Sequence, residues 1–407
     1  MPSRFSSLTR DELSMLVPEL LLIGHLIDRA GMPWCISTFG PDEMAQVAID
    51  EWAAASPIYS KRMQRALGFE GDDVPTIFKN IQLDIGAPPQ FMDFRFALGD
   101  RWHGEFWLDH CGALMDVEPL GEDYVVRMCH DIEDPTFDAT AATTNPRARV
   151  RPVHRPPRAS PDAKPHCKWT VVIDESVEPL RAHPAVTELA GTMAARWRLD
   201  DIDPDDEGRH DYAGALLADL DFADFSHSAL SRLADEICLQ MHLLNLGFRL
   251  AVGKRASAPE QALDIARRQL IGHAGIAAER LQGALRLPAT PAGALQLLAL
   301  HPLLNPSGYV AAHVADDVIT VSESPAHHDG AWIALCGPHA PEPLRAAVRT
   351  VDPRFDVRVE GTETDWSLAV VQRDEPHKEP DEVALVRFST GVDFEFRPRT
   401  SLPITVL

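Results

Sequence analysis

From Phe225 to Val252 the sequence is apolar on more than one helical face. At about 100° per residue, Leu230, Leu233, Ile237, Leu244 and Phe248 cover one face, and Leu239, Leu243, Leu246 and Leu250 cover another. His227, Ser231, Cys238, His242, Asn245 and Arg249 share the remaining arc of roughly 60°. So narrow a polar stripe reads either as the water-facing edge of the helix or as the lining of a polar pocket. In the second case His242 and His227 are acid–base candidates, and His242 is a substrate-binding candidate. A chain that is 45% hydrophobic can bury a sizeable core around such a helix.

More helices are expected before and after it. Thr9 and Glu12 form a capping box that opens an apolar helix to about Ala30, kinked or restarted at Pro18. Residues 41–67 and 73–85 read as a second and a third helix, and 259–287 follows the central one. Between them the period changes. Runs beginning at Phe91, at Phe106 and at Tyr124 (to Cys129) read as strands, as do Arg147–His154 and His166–Ile173. Asp134-Pro135 reads as the N-cap and first position of a short helix inside this sheet. Beyond residue 308 the pattern is again β, with runs at 309–314, 318–321, 332–336, 357–360, 367–371 and 383–388, and a helix over 344–351. The fold class is therefore α+β. A helical N-terminal part and a central antiparallel sheet span 1–175. Long helices fill 176–299, and a small α+β unit fills 300–407.

Charge excludes some functions. Lys plus Arg is 38 against 61 Asp plus Glu, a net charge of −23. A general nucleic-acid binder needs cations to displace phosphate counterions, and a protein held on anionic lipid needs basic residues. Neither a nucleic-acid nor a membrane partner is expected. Residues 200–224 carry ten acids and one base, which reads as a solvated loop and helix face. The N-terminus lacks the apolar core of a secretory signal, and six spread cysteines suit free thiols, so a cytoplasmic location is expected. The motifs of P-loop NTPases, Rossmann dehydrogenases, α/β-hydrolases and zincins are missing. His327-His328-Asp329 reads as a surface turn.

The chemistry concentrates in the central sheet. Three His/Cys dipeptides, His110-Cys111, Cys129-His130 and His166-Cys167, fall on or at the ends of expected strands. Side by side, those strands could bring the pairs together. The segment Cys129-His130-Asp131-Ile132-Glu133-Asp134 adds three carboxylates beside the second pair. One reading makes a cysteine thiolate the nucleophile, with His130 as base and a carboxylate orienting it. The helix beginning near Pro135 would lower the thiol pKa or hold a substrate carboxylate. A second reading binds zinc through Cys, His and Asp131, although the cysteine spacing matches no compact zinc motif. A third makes the cysteines small buried hydrophobes. Catalytic candidates are thus Cys129, His130, Asp131, Cys111, His110 and Cys167. The segment 145–158 holds five arginines. Strand alternation sets Arg147, Arg149 and Arg151 on one face, where with His154 they could hold an anion, or pair with the protein's own acids.

The order of elements from about 45 to 175 resembles the L-2-amino-thiazoline-4-carboxylate hydrolase-like family. The likeness rests on Ile58-Tyr59, Lys61-Arg62, Phe106-Trp107, His110-Cys111, Met128-Cys129-His130-Asp131, Asn145-Pro146 and His166-Cys167-Lys168-Trp169. It covers about a third of the chain, which is longer than such proteins and carries a Pro/Arg-rich insert. The resemblance implies a small α/β unit acting on or binding small polar carboxylates, with the cysteine-and-aspartate pattern carried over to Cys111, Cys129, Asp131 and Cys167. The whole chain also resembles uncharacterised actinobacterial proteins associated with steroid breakdown, which implies a hydrophobic acid or its thioester as ligand. The expectation is a hydrolase- or lyase-like enzyme of small-molecule catabolism. Its partner would be a small anionic or hydrophobic acid or its coenzyme A thioester, and it could self-associate. The alternative is a ligand-binding or complex-forming protein without catalysis.

Overall fold

A computed structural model describes residues 2–315 and 317–388. Helix α1 (Arg10–Phe39) begins at the expected capping box and does not stop at Ala30. Pro18 and Pro33 both lie inside it. An interior proline costs a helix about 3 kcal/mol, and the burial of Leu13 to Ile27 on nearly every side outweighs this. Helix α2 (Pro41–Ala66) likewise passes through Pro57, and α3 (Val74–Gln82) is capped by Asp73.

The first sheet follows. Strands β1 (Met92–Leu98) and β2 (His103–Cys111) form a hairpin. Short helices α4 (Gly112–Val117) and α5 (Glu122–Val126) come next, then a π-helical turn (Arg127–Ile132) and α6 (Glu133–Thr144). This corrects two expectations. Tyr124–Cys129 is helical rather than a strand. Asp134 caps nothing, because α5, the π turn and α6 run on continuously, so no helix N-terminus lies there to attract a thiolate. Strands β3 (Ala148–His154) and β4 (Cys167–Ile173) complete an antiparallel sheet of order β1-β2-β4-β3. Phe106 stands opposite Phe96 on one side and Trp169 on the other, all three facing the core. Phe78 of α3 and Phe137 of α6 pack onto these rings.

Residues 174–226 hold only α7 (Pro184–Ala190), α8 (Met193–Arg196) and one 3-10 turn, not the helical stretch expected. The acidic loop is tied down rather than free. Tyr212 N–H donates to Leu67 O over 2.7 Å, and Lys79 Nζ donates to the Tyr212 and Gly214 carbonyls. Helices α9 (His227–Gly253) and α10 (Pro259–Leu285) are the centre of the molecule, packed against α1 and α2. Helix α11 (Pro291–Leu300) leads to the second sheet, in which β5 (Ala312–Ala315), β6 (Val318–Val321), β7 (Phe355–Gly361) and β8 (Trp366–Gln372) take the antiparallel order β5-β6-β8-β7. The one-turn helix α12 (Pro325–His328) and α13 (Glu342–Val351) lie between its halves, and α14 (Asp381–Phe388) packs on α10. Expected strands at 332–336 and 383–388 are a 3-10 turn and α14. The fold is α+β, as expected. One apolar cluster runs from Phe5 to Leu368 and unites the N-terminal helices, the central pair and the second sheet.

Candidate functional site

A hollow lies between the first sheet and helices α1, α2 and α6. Its cavity is about 100 Å3. Helix α1 supplies His25, Asp28 and Arg29, and α2 supplies Trp52 and Tyr59. The loop after α3 supplies Asp84. The π turn and α6 present Met128, Ile132, Thr136 and Thr140 at four-residue spacing, with Glu133 and Phe137 beside them. A second cavity of about 50 Å3 shares the Met92, Phe94, Glu133 and Phe137 walls with the first. Cys111, Cys129, Cys167 and His166 line it, so residues far apart in the sequence do meet in one hollow. The rings of His110 and His166 stand 5.8 Å apart beside it.

These sulfurs are gathered but not activated. Burial pushes the Cys111 thiol up to about 12, and burial with the neighbouring sulfurs and Glu133 pushes Cys129 and Cys167 up as well. A thiol becomes a nucleophile when cations or a helix N-terminus lower its pKa, and here the environment acts in the opposite sense. Burial also pulls His110 and His166 down to about 4. The expected thiolate nucleophile is therefore not supplied. Among the described residues no group of three or more His, Cys, Asp and Glu side chains is arranged to hold a metal ion.

The carboxyls behave differently. Glu133 stands in both walls, and burial, reinforced by Asp134, raises its pKa to about 8 against the pull of Arg29. Burial raises Asp84 to about 6, opposed by the N–H of Gly86 at 2.7 Å and the hydroxyl of Tyr59 at 2.9 Å. Behind them Glu51 and Asp28 share a hydrogen bond. Burial raises both, Glu51 well above its ordinary value, and Asp28 accepts from Trp52 Nε1 at 2.7 Å. Arg29 is ion-paired with Asp116 at 3.1 Å. His25 tilts over Phe91, and burial lowers it to about 3, so it is neutral. Two carboxyls with separated pKa values either side of neutrality, beside a guanidinium, can give and take protons.

Other expected residues lie elsewhere. His130 holds the Pro156 carbonyl through Nε2 at 2.7 Å, and Asp131 is exposed. Neither lines the hollow. Arg147, Arg149 and Arg151 point away from the core, since Ala148 and Val150 between them are the buried residues of β3. Arg147 donates to the Val177 carbonyl, Arg149 to those of Ala148 and Glu178, and Arg151 pairs with Asp138 at 2.9 Å. His154 is exposed. This strand serves the protein's own acceptors, not an anion in the hollow. His242 is fully buried and held by the Asn305 carbonyl at 2.8 Å, with Tyr309 and Trp332 around it. Apart from Arg249, which lines a separate cleft, the polar stripe of α9 is neither a water edge nor the lining of the hollow. His227 donates to Leu8 O and Asn245 to Gln269, so it binds α9 to its neighbours. Asp329, expected in a surface turn, instead accepts from Met193 N, Ala194 N and Tyr309.

The sequence patterns do not single out Asp28, Arg29, Glu51 or Asp84, and they give Glu133 only as one of three carboxylates beside Cys129-His130. For Asp28, Arg29, Glu51 and Glu133 the signal was present, as ionisable side chains among apolar helical neighbours, which are buried only when paired or functional, whereas Asp84 lies in a loop and carried no such signal. The fold and hollow define an α+β protein with an acid-rich cavity. Comparison with protein-family models, with curated proteins and with solved structures finds no match. Among the described residues no helix is long and apolar enough to cross a membrane.

Proposed function

We propose that the hollow is the active site of an acid–base enzyme, hydrolase- or lyase-like, acting on a small carboxylate in the cytoplasm. Glu133 is the general acid, since a carboxyl with a pKa of about 8 still holds its proton at pH 7. Asp84 is the base, oriented by Tyr59 and Gly86. Arg29, with Asp116 steadying it, receives the substrate's carboxylate. The three thiols form a polarizable apolar wall. The observation that carries this reading is Glu133, a proton-bearing carboxyl shared by two joined cavities. Their volumes, about 100 and 50 Å3, favour a substrate of few atoms over a whole steroid or a coenzyme A thioester.

The test is a proton-NMR screen for turnover of small cyclic amide and imine carboxylates. Activity should follow a bell-shaped pH profile with limbs near 6 and 8. Glu133→Gln should lower kcat by ~100-fold or more. Turnover that survives Glu133→Gln and Asp84→Asn unchanged, or no turnover of any member, would reject the proposal. Binding of such carboxylates without turnover would favour the non-catalytic alternative.

A further inference from the structure

A third cavity, separate from the hollow, opens between α7, the C-terminal half of α9 and the start of α10. Its volume is about 620 Å3, within the ~300–1,000 Å3 typical of small-molecule sites. Leu189, Leu246, Leu250, Ala262 and Leu263 form an apolar wall. Arg249 enters this cleft from α9, half-buried. Among the described residues no ion pair or hydrogen bond holds its guanidinium. It is kept in place by packing. Gly330, at φ +69°, passes so close that a Cβ there would lie 3.0 Å from Nη1.

The contrast with the rest of the molecule is the argument. Arg147, Arg149, Arg151, Arg155 and Arg158 all have protein acceptors. For Arg249, burial lowers the pKa and no neighbouring charge offsets it. A guanidinium drawn from water without a counter-ion is costly. The two acids on the rim do not provide one. The carboxylate of Asp329 is already engaged by Met193 N at 2.9 Å, Ala194 N at 2.8 Å and the Tyr309 hydroxyl at 3.0 Å. Glu188 is exposed on α7. One cation can match one negative charge; a dianion would meet Glu188 and Asp329 with a single guanidinium to hold it.

We propose that this cleft binds a monoanionic carboxylate on an apolar body. The Arg249 fork takes the two carboxylate oxygens, and the leucine wall covers the hydrocarbon. Gly253, the last residue of α9, supplies an independent handle. A Cβ built there meets nothing within 4 Å, so a larger side chain can enter the cleft without strain.

Calorimetric titration of the whole protein tests the proposal, with decanoate and 2-naphthoate as probes and decanol and decyl phosphate as controls. One carboxylate should bind per chain, and decanol and decyl phosphate should each bind ~10-fold or more weakly by comparison. Arg249→Met should weaken decanoate by ~10-fold or more without lowering the melting temperature, because the guanidinium has no partner to lose. Gly253→Leu should also weaken it, by filling the space. Glu133→Gln should leave decanoate affinity unchanged, which separates the cleft from the hollow. Failure of both carboxylates to bind, unchanged affinity in Arg249→Met and Gly253→Leu, or tighter binding of decyl phosphate would each overturn the proposal. A drop in melting temperature in Arg249→Met with affinity retained would make Arg249 a packing residue and overturn it equally.

Discussion

The hydroxyl of Tyr59 donates to Oδ1 of Asp84 over 2.9 Å, and the N–H of Gly86 donates to the same oxygen over 2.7 Å. Both bonds favour the ionised carboxylate, yet burial outweighs them and holds Asp84 near 6. Tyr59→Phe removes one donor and little volume. The Asp84 pKa should rise further, and stability should fall by about 1 kcal/mol. Carbon-13 NMR of the labelled carboxyl follows the first effect and urea unfolding the second. An unmoved Asp84 titration would show that the Tyr59 bond does not tune it.

Glu133 sets a stability trend with pH. Its folded pKa, about 8, lies above its ordinary 4.5. Its contribution is therefore complete below about 4.5 and is lost as pH rises through about 8. Glu133→Gln keeps the shape and removes the titration. The variant should match the wild type near pH 4 and exceed it near pH 9 by an amount on the order of a few kcal/mol. Urea midpoints at the two pH values decide this; parallel curves would contradict it.

The thiols should be inert in the folded protein. With Cys111 near 12 and its neighbours also raised, iodoacetamide at pH 7 should modify none of the three before unfolding. Cys129→Ala should cost ~1–2 kcal/mol through lost packing. Rapid alkylation of Cys129 in native protein, read by mass spectrometry, would restore the nucleophile.

Gly112 faces the ring of Phe91, which a Cβ would meet at 2.4–2.5 Å. Phe91 in turn carries His25 at the hollow's edge. Gly112→Ala should destabilise by ~1–3 kcal/mol through overpacking. Calorimetric melting checks it, and an unchanged melting temperature would mean that Phe91 yields easily.

The second sheet depends on one carboxylate. Asp356, 2% exposed, faces Arg345 at 3.1 Å, Arg349 at 3.2 Å, Arg373 at 2.7 Å and His377 at 3.4 Å. Burial pushes its pKa up, but the Val357 N–H and the arginines bring it below its ordinary 3.8. Its stabilisation is therefore present above about 3.8 and lost as pH falls further. Asp356→Ala should cost about 3 kcal/mol at pH 7, because three guanidiniums are left facing one another. The penalty should shrink at pH 3. Urea unfolding at both pH values measures it, and an equal loss at each would assign the effect to packing.

Long-period patterns were readable in the sequence and exceptions to them were not. The α9 periodicity located the central helix to within two residues, and alternation in Arg147–His154 located β3. Pro18 was read as a break by local rules, and tertiary burial overrode it. Tyr124–Cys129 alternates weakly enough to suit either structure, and a π turn has no sequence period of its own. For the site, the meeting of Cys111 and Cys167 followed from strand pairing, in which Leu108 stands opposite Cys167 and Met92 opposite Cys111, whereas Cys129 arrives from the π turn. Glu133 in the hollow did not follow, because the side of α6 that faces inward is set by that π turn. The arginine strand failed for a simpler reason: alternation shows that three residues share a face, but not which face is covered.

Helix α1 is made long before the helices that bury it. Its partners α9 and α10 begin at His227 and Pro259, long after Phe39 has left the ribosome. At ~5–20 residues per second that interval is roughly 10–40 s. A thirty-residue helix whose Leu13-to-Ile27 stretch is largely apolar must wait that long without its lid. Nascent chains of this protein should therefore be clients of holding chaperones, and slow or truncated synthesis should yield aggregates rather than a partly working N-terminal half.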